Sequence, residues 1–188
     1  RFPIVLFCSL MLLVFYFLIK KLLGKTVALL SLIFIGLSPI LIGISTIINP
    51  DSLLWVFLPL SMISYFLFLK GSQNRFLYLS GIFLGLAILT KYVANILYIF
   101  FFALIFLEYI LNSEKYKEQG ISSYFRKAFV DYLILIFFSL LTYFLLLPAA
   151  WIDISRIFEG TIYSKAFVKV WPLFLSVIAI IIIDMLLW

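Results

Sequence analysis

The feature that most constrains this chain is a series of long apolar runs separated by short gaps that carry most of the charges. A helix needs about 20 mostly apolar residues to cross the hydrocarbon core of a bilayer. Lipid offers backbone groups no hydrogen-bond partner, so each run is expected to be helical. Only 12% of the residues are charged and 66% are hydrophobic, which excludes a water-soluble domain. The sequence therefore predicts an all-α, polytopic transmembrane helical bundle.

The runs predict about seven membrane-spanning helices. Residues 76–111 are divided into two of them, because a single helix of that length would measure roughly 54 Å. A short amphipathic helix near residues 153–159 is expected to lie in the membrane interface. Residues 1–188 are expected to be part of one transmembrane domain that continues beyond both ends, since the chain starts with Arg1 and its last run reaches the end. The predicted spans are residues 3–19, 26–48, 52–69, 76–90, 92–111, 129–147 and 171–187.

The net charge of +6 follows from 14 Lys and Arg against 8 Asp and Glu. Nine of the basic residues lie in the first, third and fifth gaps, which are therefore predicted to face the cytoplasm. The gaps with Asn49-Pro50-Asp51, with Lys91 and with residues 148–170 then face outward. Basic residues placed in this way orient helices, so nucleic acid is not expected as a partner. Three tryptophans fall at the outer boundary, as in an aromatic belt: Trp55, Trp151 and Trp171.

The chain has no His and a single Cys, Cys8. This excludes an internal disulfide, a zinc site of the usual His/Cys type, and Ser-His-Asp or Cys-His triads. Any chemistry must use carboxylates, Lys, Arg, hydroxyls or the backbone. No cofactor is predicted, because Asp51 has no second acid close to it in sequence, although a divalent metal stays open.

Three charged residues are candidates for chemistry. Asp51 lies at an outer helix mouth, where it either caps the next helix or presents a carboxylate to a substrate. Lys91 follows a helix of only about 15 residues, roughly 22 Å long. Its ammonium either snorkels to the surface or lies in a polar recess, where it is a natural partner for a phosphate. Asp184 is the remaining charge inside a predicted span and is a candidate on that ground alone.

Two further patterns predict local contacts. Gly81 and Gly85 form a small-xxx-small face, which predicts close packing against another helix rather than a reactive site. Asp153 is expected to cap the short helix that follows it and to pair with Arg156.

The order of these elements resembles the membrane glycosyltransferases of the GT-C superfamily, within the branch of protein O-mannosyltransferases and lipid A aminoarabinose transferases. The sequence Asn49-Pro50-Asp51 before a helix is similar to the outer-loop Asp of that branch. Residues 80–92, SGIFLGLAILTKY, resemble its GLxxGLAxLTK element. Residues 148–153, PAAWID, resemble its PAxWxDP stretch, with Ile154 where Pro is usual. The resemblance covers roughly residues 26–160.

The resemblance implies an integral enzyme of the plasma membrane that acts in the cell envelope. It would transfer a sugar from a polyprenyl-phosphate donor to a hydroxyl of a lipid or protein acceptor, on the extracytoplasmic face. The main catalytic base is expected in a first outer loop that precedes this sequence, so the fragment is expected to be inactive alone. Asp51 is then a secondary catalytic acid. The residues expected to bind substrate are Asn49, Lys91, Tyr92, Trp151, Asp153 and Arg156.

Two other classes stay open from the residues themselves. Secondary transporters typically have charges inside the membrane and two repeated halves. This sequence has one such charge, Asp184, and no evident repeat. A non-catalytic membrane scaffold would use only the Gly and Ser faces, and it predicts that the outer acids tolerate substitution.

Overall fold

The computed structural model describes residues 2–47, 49–71, 73–112, 116, 120–165, 168, 169, 171, 172, 175, 176, 179, 180 and 183. Within these residues every regular element is helical and none is a strand, which confirms the all-α prediction. A single 3₁₀ turn, Tyr92–Asn95, precedes α6. The α-helices, in chain order, are α1 Phe2–Leu23, α2 Lys25–Gly36, α3 Pro39–Thr46, α4 Asp51–Gly71, α5 Asn74–Thr90, α6 Ile96–Leu111, α7 Ile121–Leu146, α8 Pro148–Ile152 and α9 Ser155–Gly160.

The prediction of seven spanning helices is too high for the part of the chain that the structure describes. Four helical stretches there are long and apolar enough to cross a membrane, and a bent pair makes five. Helix α5 is apolar but shorter, with 17 residues. Most of the predicted span 171–187, including Asp184, lies outside the described residues. The structure thus supports a polytopic membrane bundle with fewer spans than the apolar runs predict.

The largest local difference from prediction is in residues 26–48, which were expected to form one helix. The structure divides them into α2 and α3, which meet at an angle of 52°. The cause is Pro39, which has no N–H to donate and whose ring disfavours helical backbone in the residue before it. Accordingly Ser38 is extended, with φ −64° and ψ 118°, and Pro39 opens α3 at a position where proline is tolerated.

The predicted division near Lys91 is confirmed. Helix α5 ends at Thr90, and Lys91 adopts an extended backbone with φ −159° and ψ 122°. Its carbonyl accepts a hydrogen bond from the N–H of Ala94 at 3.1 Å, which starts the 3₁₀ turn. The chain thereby reverses without a Gly or Pro, and the lysine side chain is placed at one end of the bundle.

The core of the bundle lies between α4 and α5, which run antiparallel. Ser61 and Ser80 hydrogen-bond across this interface, each hydroxyl donating to the other's carbonyl at 2.9 Å. Leu60 and Leu77 are fully buried beside them. This packing brings the start of α4 to the end of α5.

On its other side, α5 packs against α7 through the two glycines predicted to form a packing face. A Cβ atom on Gly81 would lie 2.8 Å from both the Leu135 carbonyl oxygen and the Phe138 Cβ. A Cβ atom on Gly85 would lie closer still to the Ser139 carbonyl oxygen, and 2.8 Å from the Thr142 Cβ. The role of Gly81 and Gly85 in helix packing is therefore confirmed.

Helices α8 and α9 follow α7 as short surface turns. The helix predicted near residues 153–159 is present as α9 and begins two residues later. The predicted pair is present, with the Asp153 carboxylate 3.5 Å from the Arg156 guanidinium. Asp153 is not the N-cap, however, because that position is Ile154; the Asp153 carboxylate accepts a hydrogen bond from the N–H of Ser155 at 3.0 Å from one residue further back. The position of this helix in a membrane interface stays a prediction.

Candidate functional site

The antiparallel packing of α4 and α5 brings Asp51 and Lys91 together. The Lys91 Nζ donates to Asp51 Oδ1 at 2.7 Å, across 40 residues of sequence. The lysine side chain is 47% exposed and the aspartate side chain 30%, so the pair is open to solvent at one end of the bundle. Two candidates found separately in the sequence thus form one charged site.

Asn49 fixes the aspartate from the other side. Its Nδ2 donates to Asp51 Oδ2 at 3.1 Å, and its Oδ1 accepts the N–H of Asp51 at the same distance. The Pro50 carbonyl accepts the N–H of Leu54 at 3.1 Å as the first helical hydrogen bond. Pro50 thus stands at the N-cap position, and the side chain that caps the first N–H of α4 is that of Asn49, just before it, which leaves the Asp51 carboxylate for Lys91.

Each oxygen of Asp51 consequently has its own donor. Oδ1 accepts from the ammonium of Lys91 and Oδ2 from the amide of Asn49. Asp51 also lies in the first turn of α4, where the helix dipole favours a negative charge. Because Lys91 follows the end of α5, the pair is held by the ends of two packed helices rather than by a flexible loop.

An apolar cavity of about 170 Å³ borders this site. It lies between α1, α3 and the first turns of α4, and it includes Ser52, which immediately follows Asp51, and Trp55, one helical turn further. The bend at Pro39 contributes to it, because the cavity wall takes residues from both α2 and α3. A charged pair beside an apolar cavity is suited to a ligand with a polar head and a hydrocarbon tail.

The other residues predicted to bind substrate make no contact with this pair in the described structure. Tyr92 follows Lys91 and is half exposed. Trp151 is exposed and its indole N–H donates to the Phe144 carbonyl at 2.8 Å. Arg156 lies between Asp153 and Glu159, with a 3.0 Å bond to the latter. All three remain predictions as ligand contacts.

Asp153 is an exposed carboxylate that stays charged at neutral pH. Hydrogen bonds from Ser155, and then the nearby Arg156 guanidinium, hold the pKa of Asp153 below its usual value. These contacts with the start of α9 account for the lowered pKa without a ligand.

Asn95 is a residue of the site region that sequence reasoning missed. Its side chain is 1% exposed, and its Nδ2 donates to the carbonyls of Gly160 and Thr161 at 2.7 and 3.2 Å. Gly160 in turn leaves no room for a side chain, because a Cβ there would meet the Tyr143 hydroxyl. Asn95 therefore holds the segment after α9 against the turn that begins at Lys91. A signal was present, since an amide side chain inside an apolar run needs a partner.

Among the described residues, no three His, Cys, Asp or Glu side chains lie close enough to hold a metal ion. The charged groups at the site are one carboxylate and one ammonium, with an amide beside them. Such a set can bind an anionic group through Lys91 and a hydroxyl through Asp51, and it can orient both.

Comparison with known proteins identifies the family. A family model described as dolichyl-phosphate-mannose-protein mannosyltransferase matches residues 1–143, which include α1 to α6, Asp51 and Lys91. No curated protein and no solved structure matches the chain. The match agrees with the resemblance to GT-C enzymes drawn from the sequence motifs. The chain belongs to the dolichyl-phosphate-mannose-protein mannosyltransferase family and is a membrane glycosyltransferase of the GT-C type.

Proposed function

We propose that the Asp51–Lys91 site binds the phosphate of a polyprenyl-phosphate sugar on the extracytoplasmic face of the plasma membrane. The observation that carries the proposal is the 2.7 Å contact between Lys91 Nζ and Asp51 Oδ1 at the open end of α4 and α5. The Lys91 side chain is about half exposed and follows the end of α5, so a lipid phosphate can reach its ammonium group. The apolar cavity beside Ser52 and Trp55 suits the first part of a prenyl chain.

In the proposed reaction an acceptor hydroxyl attacks the anomeric carbon of the donor sugar. The new glycosidic bond forms as the bond between that carbon and the phosphate oxygen breaks. The acceptor proton passes to a carboxylate base, and the polyprenyl phosphate leaves. Lys91 stabilises the negative charge that develops on the departing phosphate. A charge that is already in place where negative charge develops lowers the activation free energy of the reaction.

Asp51 has the supporting role in this proposal. Both of its oxygens already accept hydrogen bonds, from Lys91 and from Asn49, so it orients the ammonium rather than taking the acceptor proton. The main base is expected from a different acidic residue, in the first outer loop of the family pattern. The acceptor is a lipid or protein hydroxyl.

The test measures sugar transfer from a synthetic polyprenyl-phosphate sugar in membranes that contain the full-length protein. Lys91→Gln should lower kcat by about a hundredfold, since it removes a charge aimed at the leaving group. Lys91→Arg should restore part of the rate. Lys165→Gln is the matched control, because Lys165 is an exposed lysine after α9 with the same charge change.

Asp51→Asn should lower the transfer rate by at least about tenfold, because it removes one hydrogen bond between charged groups. Asp131→Asn makes the same change on α7, in a cavity wall shared with Phe68 and Leu69 at the far end of α4, and should leave transfer close to the wild-type rate. Wild-type rates in both Lys91→Gln and Asp51→Asn would contradict the proposal. Solute flux in proteoliposomes without sugar transfer would favour a transporter instead.

A further inference from the structure

The opposite end of α4 carries a cluster of basic side chains with an unusual arrangement. Lys21 Nζ and Arg75 Nη2 both donate to the same oxygen, Gln73 Oε1, at 3.2 and 2.9 Å. Both cations also lie over the ring of Phe76, at 4.4 and 5.1 Å from its centre. Two positive groups are thus held side by side by one neutral acceptor, although like charges repel.

Lys70 extends this cluster. Its Nζ donates to the carbonyl oxygen of Leu22 at 2.6 Å, so it lies beside the last turn of α1, next to Lys21. The three cations come from the end of α1, the end of α4 and the start of α5. Among the residues that the structure describes, no carboxylate is within ion-pair distance of any of them. Within the described part of the chain, the three cations therefore have no carboxylate partner to neutralise them.

A groove of about 370 Å³ adjoins the cluster. It lies between the ends of α1, α4 and α6, and it is lined by leucines of these helices together with Phe66, Lys70 and Glu108. The Glu108 carboxylate accepts a hydrogen bond from the Tyr116 hydroxyl at 3.2 Å. Lys70 belongs to both the groove and the cluster, and Leu22, whose carbonyl oxygen accepts the Lys70 hydrogen bond, also lines the groove. The apolar and the basic surfaces are therefore continuous.

We propose that this end of the bundle binds a net anionic glycerophospholipid, with its phosphate against Lys21, Lys70 and Arg75 and one acyl chain in the leucine groove. The basic cluster matches the charge of the headgroup, and the groove matches a hydrocarbon chain. Basic pockets between membrane helices are a known way of holding anionic headgroups. The site is separate from the Asp51–Lys91 pair, because the helix between Asp51 and Lys70 is about 28 Å long.

The first experiment uses the wild-type protein, purified in a neutral detergent and examined by native mass spectrometry. It is titrated with dioleoyl phosphatidylglycerol, with dioleoyl phosphatidylcholine, and with glycerol 3-phosphate. Phosphatidylglycerol should bind at least about tenfold more tightly than phosphatidylcholine, and a high salt concentration should weaken that preference. Glycerol 3-phosphate should not compete at the same concentrations. Equal binding of the two lipids, or competition by glycerol 3-phosphate, would overturn the proposal.

The second experiment compares two double variants with the same loss of charge at the same end of the bundle. Lys21→Gln/Arg75→Gln should bind phosphatidylglycerol no better than phosphatidylcholine. Lys20→Gln/Lys25→Gln leaves the shared contact on Gln73 intact and should keep the preference. Equal losses in both would mean a general surface charge and not a site. If the first variant does not fold, the lipid comparison on the wild-type protein still decides.

The groove is tested separately. Leu107 lies in the groove and is 41% exposed, so Leu107→Trp would occupy the space of the acyl chain and should weaken phosphatidylglycerol binding at least about threefold. Leu133→Trp places the same ring on the exposed face of α7 and should leave binding unchanged. Unchanged binding in Leu107→Trp would remove the acyl-chain part of the proposal.

Discussion

At the scale of single residues, the Asp51–Lys91 pair is better suited to orienting charge than to stabilising the fold. Both side chains are partly exposed, and ion pairs in such positions contribute little to stability because water screens them. The neighbouring Asn49 supplies the helix cap, which is the stabilising contact at this helix end. The aspartate is therefore free to position the ammonium.

Because Asp51 and Asn49 have different roles, substituting Asp51 should lower activity more than stability. Asp51→Asn should lower the free energy of unfolding by less than about 1 kcal/mol, since the pair is exposed, while sugar transfer falls. Asn49→Ala removes the cap and should cost more, about 1 kcal/mol or above. Thermal unfolding of the two variants in the same detergent provides the comparison. A large loss of stability in Asp51→Asn would show that the pair is mainly structural.

Asn95 carries the second prediction at this scale. Asn95→Ala leaves the carbonyls of Gly160 and Thr161 without their donor, which should lower stability by about 1–3 kcal/mol. The segment after α9 should also become more sensitive to limited proteolysis. The control is Asn112→Ala, because the Asn112 side chain is exposed and, among the described residues, bonds to the Glu108 carbonyl of its own helix end. Equal protease sensitivity in the two variants would contradict the anchoring role.

At the scale of helices, the α5–α7 interface depends on two positions without side chains. Gly85→Ala places a Cβ against the Ser139 carbonyl and Thr142, where neither helix backbone can move easily. The expected cost is about 1–3 kcal/mol, as for other overpacked sites. Gly43→Ala is the matched control, since a Cβ there meets nothing within 4 Å and alanine favours a helix. Thermal unfolding measures both, and similar midpoints would mean that α7 packs less tightly than described.

The sequence predicts these helices well where hydrophobicity and segment length determine where a helix begins and ends. The break at Lys91 follows from the length of two spans, and the packing face of Gly81 and Gly85 from their spacing. The bend at Pro39 was missed although its cause is local, because the apolar run continues through it. An amide inside an apolar run predicts that Asn95 needs a partner, but it does not predict which one, since Gly160 and Thr161 lie 65 and 66 residues away.

At the scale of the whole molecule, the two ends of the bundle differ in chemistry. One end has the Asp51–Lys91 pair, and Asn95 connects it to the segment after α9. That segment lies beyond residues 1–143, which the family model matches, so Asn95 connects the matched part of the chain to the residues that follow it. The other end carries Lys21, Lys70 and Arg75, whose charge excess favours the cytoplasmic side.

The orientation of the bundle gives the last prediction, because a donor site on the extracytoplasmic face requires Asp51 and the basic cluster to lie on opposite sides of the membrane. Single cysteines at two exposed positions, introduced after Cys8→Ser, report the side of each end: Ser155→Cys beside Asp153, and Gly71→Cys, where a Cβ meets nothing within 4 Å. A membrane-impermeant maleimide should label Ser155→Cys in intact cells and Gly71→Cys only after permeabilisation. The reverse pattern would place Asp51 and Lys91 in the cytoplasm and contradict the extracytoplasmic site. Labelling of both in intact cells would mean that the helices between them do not cross the bilayer as expected.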